Sequence, residues 1–187
     1  IKNKKQKKTT MPTHIHPELA TLVDNPPLGK EWCHEIKYDG YRIIAFIKDK
    51  KIKLMTRNQK NWTSKFPSLS KELQQLKVKT AILDGELVAL DKKSRSNFEL
   101  LQNSIHNKDT SRLIYYVFDL LYYNGTDLTS STLQMRKKQL QQIISTSDSI
   151  ILYADHIIGR GDFLFKKACK LSLEGIVSKN INSRYIQ

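Results

Sequence analysis

Lys37 lies in the run Glu35-Ile36-Lys37-Tyr38-Asp39-Gly40-Tyr41-Arg42, between two apolar segments. A lysine amine is a nucleophile only when neutral, yet a free one, with a pKa near ~10.4, is almost fully protonated at neutral pH. Burial, a nearby cation or a bound metal each favours the neutral form, and Arg42 is the cation closest at hand. Three further stretches carry groups such a nucleophile needs. Asp84-Gly85-Glu86 puts carboxylates inside an apolar run, where an acid requires a hydroxyl, a metal or a cation as partner. Tyr115-Tyr116-Val117-Phe118-Asp119 places Phe118 within a strand-like segment, either as a platform for a stacked base or as a core phenylalanine. Glu174-Gly175-Ile176-Val177-Ser178-Lys179 flanks a short apolar strand with an acid and a lysine. Lys-x-Asp-Gly alone arises by chance in about a few per cent of chains of this length. The chemistry rests on the set.

The 187 residues have room for one ordinary domain, and 39% hydrophobic with 27% charged residues are ordinary globular values. The net charge of +14 is not ordinary. It favours a polyanionic partner, most simply nucleic acid, bound in a salt-sensitive way. No apolar run approaches the ~20 residues that span a bilayer, which argues against a membrane. The basic N-terminus lacks the apolar stretch of a signal peptide. Cys33 and Cys169 are too few and too far apart for a disulfide framework, which fits a reducing, cytoplasmic setting. Ile1 in place of Met is expected of a segment cut from a longer chain. Gly159-Arg160-Gly161 lacks the third glycine of a dinucleotide loop. His14 with His16, and Cys33 beside His34, are too irregular for a structural zinc site.

The elements that must position these groups follow from hydrophobic period and turn chemistry. Residues 1–10, with Lys2, Lys4, Lys5, Lys7 and Lys8, read as a mobile basic linker or arm, and residues 11–187 as a single domain. The proline-punctuated stretch from Met11 to Pro27 reads as irregular chain packed on that domain. From Trp32 the period is two, with Glu35 and Lys37 on one face and Trp32, His34, Ile36 and Tyr38 on the other. Tyr41 to Lys48 and Ile52 to Thr56 are the next strands. Asp39-Gly40 between the first two predicts a two-residue hairpin, setting Lys37 opposite Arg42 and Tyr38 opposite Tyr41. Asp39 is there to orient Lys37 or to build the turn. Pro67 opens a helix with Leu69, Leu73 and Leu76 on its apolar face. Ala81 to Leu90 is a buried strand, Phe98 to Gln102 a short helical turn, and Arg112 to Tyr123 a strand ending at Asn124-Gly125. Ser131 and Gln134 have capping-box spacing for a helix through Leu140 and Ile144. Ser149 to Tyr153 is strand-like. Asp162 is placed to cap a helix with stripe Leu164, Ala168 and Leu171, and Gly175 to Ser178 is a last strand. Hairpins outnumber strand–helix–strand units, so the class is α+β with mainly antiparallel sheets flanked by helices.

In this order and spacing the motifs resemble those of the covalent nucleotidyltransferases, a family of DNA ligases, RNA ligases and mRNA capping enzymes. Glu35 to Arg42 resembles motif I, Asp84-Gly85-Glu86 motif III, Phe118-Asp119 motif IIIa and Glu174 to Lys179 motif IV. The flanking text Met11-Pro12, Trp32-Cys33-His34, Thr56-Arg57-Asn58, Asn61-Trp62-Thr63 and Ser96-Asn97-Phe98 is similar to the ATP-dependent DNA ligase domain of bacterial ligase D, over about Met11 to Arg184. The resemblance implies the nucleotidyltransferase (ATP-grasp-like) fold. It also implies that the chain stops before the family's lysine-rich motif V and its C-terminal OB-fold domain.

By the same resemblance Lys37 is the catalytic residue, forming a lysyl-AMP from ATP. AMP then passes to the 5′-phosphate of nicked DNA, and strand sealing follows in end-joining repair. Glu35 and Ile36 would lie near the adenine, Glu86 at the ribose hydroxyls and Phe118 on the base. Arg42 and Arg57 would hold phosphate or ribose oxygens, and Lys179 the α-phosphate. Glu174 would be the metal carboxylate for Mg²⁺ or Mn²⁺, hard cations that prefer oxygen ligands. Strict alternation puts Glu174 and Lys179 on opposite strand faces, so one of them must sit at a bulge or strand end. The implied partners are nicked or broken duplex DNA, DNA end-binding proteins, and fused or separate polymerase and nuclease domains, at the bacterial nucleoid. An RNA ligase or capping enzyme on the same fold, and a nonenzymatic DNA-binding module, are the competing readings.

Overall fold

The computed structural model describes residues 8–144 and 149–187, so Lys2, Lys4, Lys5 and Lys7 of the basic arm lie outside the described residues. Its strands are Trp32–Ile36 (β1), Tyr41–Lys48 (β2), Lys51–Thr56 (β3), Thr80–Ala89 (β4), Leu113–Tyr123 (β5), Thr126–Asp127 (β6), Ile151–Tyr153 (β7), His156–Ile158 (β8) and Ile176–Asn180 (β9). Its helices are Pro67–Leu73 (α1), Phe98–His106 (α2), Leu133–Ile143 (α3) and Gly161–Lys170 (α4). The expected α+β class with mainly antiparallel sheets is what the strands build. A larger sheet runs β3-β2-β4-β5-β6, and β7 adds to β5 as its one parallel neighbour. A smaller sheet runs β8-β1-β9, antiparallel throughout.

Strand β2 shows why the larger sheet is buried on both faces. Ile43, Ala45 and Ile47 enter one core with Leu83, Tyr115, Val117, Leu69 and Leu140. Ile44 and Phe46 enter a second, smaller core with Ile82, Leu121, Tyr122, Ile15 and Tyr185. A period of two explains the split, and each fully buried isoleucine removed from water contributes about 1.5–3 kcal/mol. Ile15 is 1% exposed, so the irregular Met11–Pro27 stretch does pack on the domain. On the same face as Ile44 and Phe46, one step towards the strand start, is Arg42. The second core therefore ends where the cleft begins.

The hairpin expected at Asp39-Gly40 does not form. Strand β1 pairs with β8 and β9, whereas β2 pairs with β3 and β4, so the two residues connect two sheets. Lys37 is not opposite Arg42, whose Cα partner is Glu86, nor Tyr38 opposite Tyr41, whose partner is Leu87. Neither Asp39 nor Gly40 has the positive φ that a type I′ turn demands. Gly40 is required for a different reason. A Cβ there would lie 2.2 Å from the Leu87 carbonyl oxygen. The crossing strand comes that close.

Other expectations need smaller corrections. Helix α3 is capped by Thr132, which accepts from the Met135 amide at 3.4 Å, rather than by Ser131. Asp162 lies in the first turn of α4 and is not its cap; Arg160 holds that position without a side-chain bond. Leu171 is 58% exposed and outside the core stripe. Phe98 opens nine residues of helix, not a single turn. The last residues of the basic arm are tied down: Thr9 donates its amide to Gly125 O at 2.7 Å and accepts from the Asp127 amide at 3.2 Å. Among the described residues no helix is long and apolar enough to cross a membrane.

Candidate active site

Between the two sheets lies a cleft of about 650 Å³. Every residue singled out from the sequence lines it: Glu35, Ile36, Lys37, Arg42, Arg57, Glu86, Phe118, Glu174 and Lys179. Strand β1 supplies the first two, with Lys37 just past its end. The larger sheet supplies Arg42, Glu86 and Phe118, and the chain around β9 supplies Glu174 and Lys179.

Lys37 is held by its backbone, its amide donating to Gly175 O at 3.0 Å. Its Nζ contacts Glu174 Oε1, and the side chains are 47% and 36% exposed. Glu174 precedes β9, so the parity conflict with Lys179 resolves at a strand end, as strict alternation required. Gly175 makes the approach with φ +151°, which other residues rarely adopt. The next side chain, Tyr38, stacks on Tyr116 with centroids 3.9 Å apart and planes 9° from parallel. The Asp39 amide donates to Ser96 Oγ at 3.0 Å, so Asp39 joins the sheet connection to the Ser96-Asn97-Phe98 stretch.

Glu35 is 3% exposed and has a cation on each oxygen: Lys137 Nζ at 2.5 Å from Oε1 and Lys179 Nζ at 2.7 Å from Oε2. Burial works to raise its pKa, but the two ammonium groups outweigh burial and leave it below the usual carboxylate value. Lys137 was not among the predicted residues, and neither was Arg136 beside it. Arg136 donates through Nε and Nη2 to Asp119 at 2.7 and 2.9 Å, and is 1% exposed. A signal for both was present. Leu133, Arg136, Lys137, Leu140 and Ile144 occupy i, i+3, i+4, i+7 and i+11 of one helix, so two cations stand on the apolar stripe. Cations at core positions need buried anions.

Arg42 is engaged in the same manner. Its Nε and Nη2 donate to Asp84 at 2.5 and 2.7 Å, and Tyr185 Oη donates to Asp84 at 2.6 Å. Burial alone would lower the Arg42 pKa, but Asp84 more than offsets it and keeps the guanidinium charged. Arg42 lies 4.6 Å and Lys179 4.2 Å from the Phe118 ring centroid, so the aromatic carries two cations. Arg57 is exposed just beyond β3 and also lines an adjoining pocket with Lys60 and Trp62.

Among the described residues Glu86 is a strongly perturbed acid whose value falls in the physiological range. Burial raises its pKa; Arg42 and Lys37 pull it down, Asp84 and Asp39 push it up, and it settles at about 8. The sign follows directly. With a reference value of 4.5, folded protein holds this proton between about pH 4.5 and 8 while unfolded chain has lost it, so stability declines as pH rises through that window. Glu86→Gln removes the decline. Calorimetry is expected to show the variant melting above the wild type at pH 8 and together with it near pH 4; equal offsets at both would mean Glu86 is not the group responsible.

No cluster of three His, Cys, Asp or Glu side chains occurs among the described residues. A divalent cation here would therefore draw on Glu174 and on ligand oxygens. That donor set suits magnesium, which commonly takes one or two carboxylates plus phosphates and waters.

Comparison with known proteins identifies the family. Residues 16–187 match the family model described as ATP dependent DNA ligase domain. The chain is 40% identical over 179 residues to the multifunctional non-homologous end joining protein LigD of Pseudomonas aeruginosa, covering 95% of this chain and 21% of that protein. It is 34% identical to the bifunctional non-homologous end joining protein LigD of Bacillus subtilis, covering 89% of this chain and 31% of that one. Among solved structures, mycobacterial DNA ligase D complexed with ATP and MES superposes with a TM-score of 0.78 at 29% identity, over 91% of this chain and 55% of that one. The chain thus spans between a fifth and a third of the length of these curated relatives.

Proposed function

The chain belongs to the ATP-dependent DNA ligase domain family, and from that premise we propose that it is the adenylating part of an end-joining ligase, with Lys37 as the residue that takes AMP from ATP. The observation that carries the reading is the Lys37–Glu174 contact at the mouth of a cleft floored by Glu35, Glu86 and Phe118. The similar mycobacterial DNA ligase D is a complex with ATP and MES, and the relatives from Pseudomonas and Bacillus are named for non-homologous end joining.

The proposed chemistry is a displacement at the α-phosphorus of ATP. Lys37 Nζ forms a P–N bond, the bond to the bridging oxygen breaks, and pyrophosphate leaves with the electron pair. Glu174 holds the ammonium in place; once that contact is given up, the ammonium passes its proton to solvent and the amine attacks. Glu174, together with phosphate oxygens, would hold Mg²⁺ or Mn²⁺, which would supply neutralising charge for the leaving phosphates. Phe118 offers its face to the base, Glu86 accepts from the ribose hydroxyls, and Lys179 and Arg57 offer cations to phosphate. Arg42 is paired with Asp84 through Nε and Nη2 and lies over the Phe118 ring, and it still lines the cleft. AMP then passes to a 5′-phosphate at a nick or break in duplex DNA, and a 3′-hydroxyl displaces it. Polymerase and nuclease domains, fused or separate, and end-binding proteins would complete the pathway.

Incubation with labelled ATP and Mg²⁺ followed by denaturing electrophoresis tests the first step. A band with ATP and none with GTP separates this reading from a capping-type enzyme. With a net charge of +14, binding to nicked duplex is expected to weaken by at least about tenfold between 50 and 200 mM salt. Affinity indifferent to salt in a filter-binding titration would contradict the polyanion argument.

A further inference from the structure

Glu35 presents an imbalance that the proposed chemistry does not use. Both of its oxygens are bound by lysines, but the two lysines are differently placed. Lys137 is 4% exposed and reaches Glu35 from α3, and its Nζ also lies 3.4 Å from Tyr153 Oη and 4.9 Å from that ring's centroid. Tyr153 Oη is in turn 3.0 Å from His156 Nδ1. Lys179 is 23% exposed and sits at the cleft, with its Nζ 4.2 Å from the Phe118 ring centroid. One cation is enclosed and the other borders open space.

Any phosphate that recruits Lys179 must take it from Glu35. A buried carboxylate left with no counter-charge is strongly unfavourable, so a site with Lys179 alone would hold that lysine back. Lys137 removes the obstacle, because Glu35 keeps one ammonium whichever way Lys179 points. Helix α3 is fixed firmly enough for this task. Arg136, the neighbouring residue, clamps it to Asp119 on β5, and the amides of Leu133 and Gln134 donate to Ser183 O and Ile181 O, each at 2.9 Å. Adjacent residues on one turn thus tie α3 to both sheets, Arg136 to the larger and Lys137 to the smaller.

We propose that Lys137 is a positioning residue, the permanent counter-ion of Glu35, and that it frees Lys179 to exchange between Glu35 and the phosphate of a bound nucleoside triphosphate. The proposal rests on the reading of the cleft as a nucleotide site. Its probe is α,β-methylene-ATP, which cannot be cleaved at the reacting bond. Lys137→Met is expected to raise the dissociation constant for this analogue at least tenfold. In a Glu35→Gln background the same change is expected to raise it less than twofold, since no buried charge then needs a partner. A merely structural role for Lys137 predicts equal losses in both backgrounds, and equal losses, or no loss in either, would overturn the proposal.

Should Lys137→Met fail to fold, the wild-type chain still decides the question by ¹⁵N NMR of the lysine ammonium groups. Addition of the analogue is expected to move the Lys179 signal and leave that of Lys137 in place. Movement of Lys137 with Lys179 stationary overturns the exchange. The two readings also fail separately. A wild-type chain that binds the analogue with the expected coupling but forms no AMP adduct from ATP overturns adenylation and supports the exchange, whereas normal adduct formation without coupling overturns the exchange alone.

Discussion

Lys37→Ala is expected to abolish the AMP label that the chain acquires from ATP, with its fold unchanged. The side chain is half exposed and its recorded partner is Glu174, itself partly exposed, so removing it leaves no buried charge behind. Its backbone contribution, the amide bond to Gly175 O, survives the substitution. The loss is therefore chemical. With no amine there is no P–N bond, and Lys137, enclosed against Glu35, does not take its place. The melting temperature is expected to stay within a few degrees of wild type. A label of wild-type intensity on the alanine variant would exclude Lys37 as the nucleophile.

Arg136→Met is expected to have the largest effect on stability. Arg136 and Asp119 form a two-bond pair whose side chains are only 1% and 5% exposed, and Arg136 also donates to Ser131 O at 2.7 Å. Removing one member of such a pair costs about 3–5 kcal/mol, because the other remains buried and charged. For a domain of this size that lowers the melting temperature by roughly 6–20 °C. Adding Asp119→Leu is expected to recover a large part, since an apolar replacement of both partners leaves no orphan charge. Scanning calorimetry of the single and double variants checks both; a single variant that melts with the wild type would mean the pair contributes little.

The residues lining the cleft were legible because the chemistry imposes both types and order. The period of two carried Glu35 on the face of Lys37, and the parity of Glu174 and Lys179 already demanded that one of them sit at a bulge or strand end, which is Glu174, ahead of the last strand. What local pattern could not carry was pairing. Asp39-Gly40 has the composition of a hairpin, but β1 finds its partners in β8 and β9, far along the chain, and Gly40 serves a backbone crossing instead of a turn. A turn preference is a local term of modest size, and tertiary pairing overrode it. The same gap hid the Asp84 partner of Arg42 across the sheet. Helix α3 was legible as a helix, yet its two buried cations became meaningful only with Asp119 and Glu35 opposite them.

The central claim is that Lys37 carries AMP, and locating the adduct tests it most directly. The chain is incubated with ATP and Mg²⁺, digested under alkaline conditions that preserve a P–N bond, and its peptides sequenced by mass spectrometry. One AMP is expected, attached to Lys37 and lost in mild acid. An adduct on Lys179 or any other residue, or no adduct on a chain that binds the nucleotide, would contradict it.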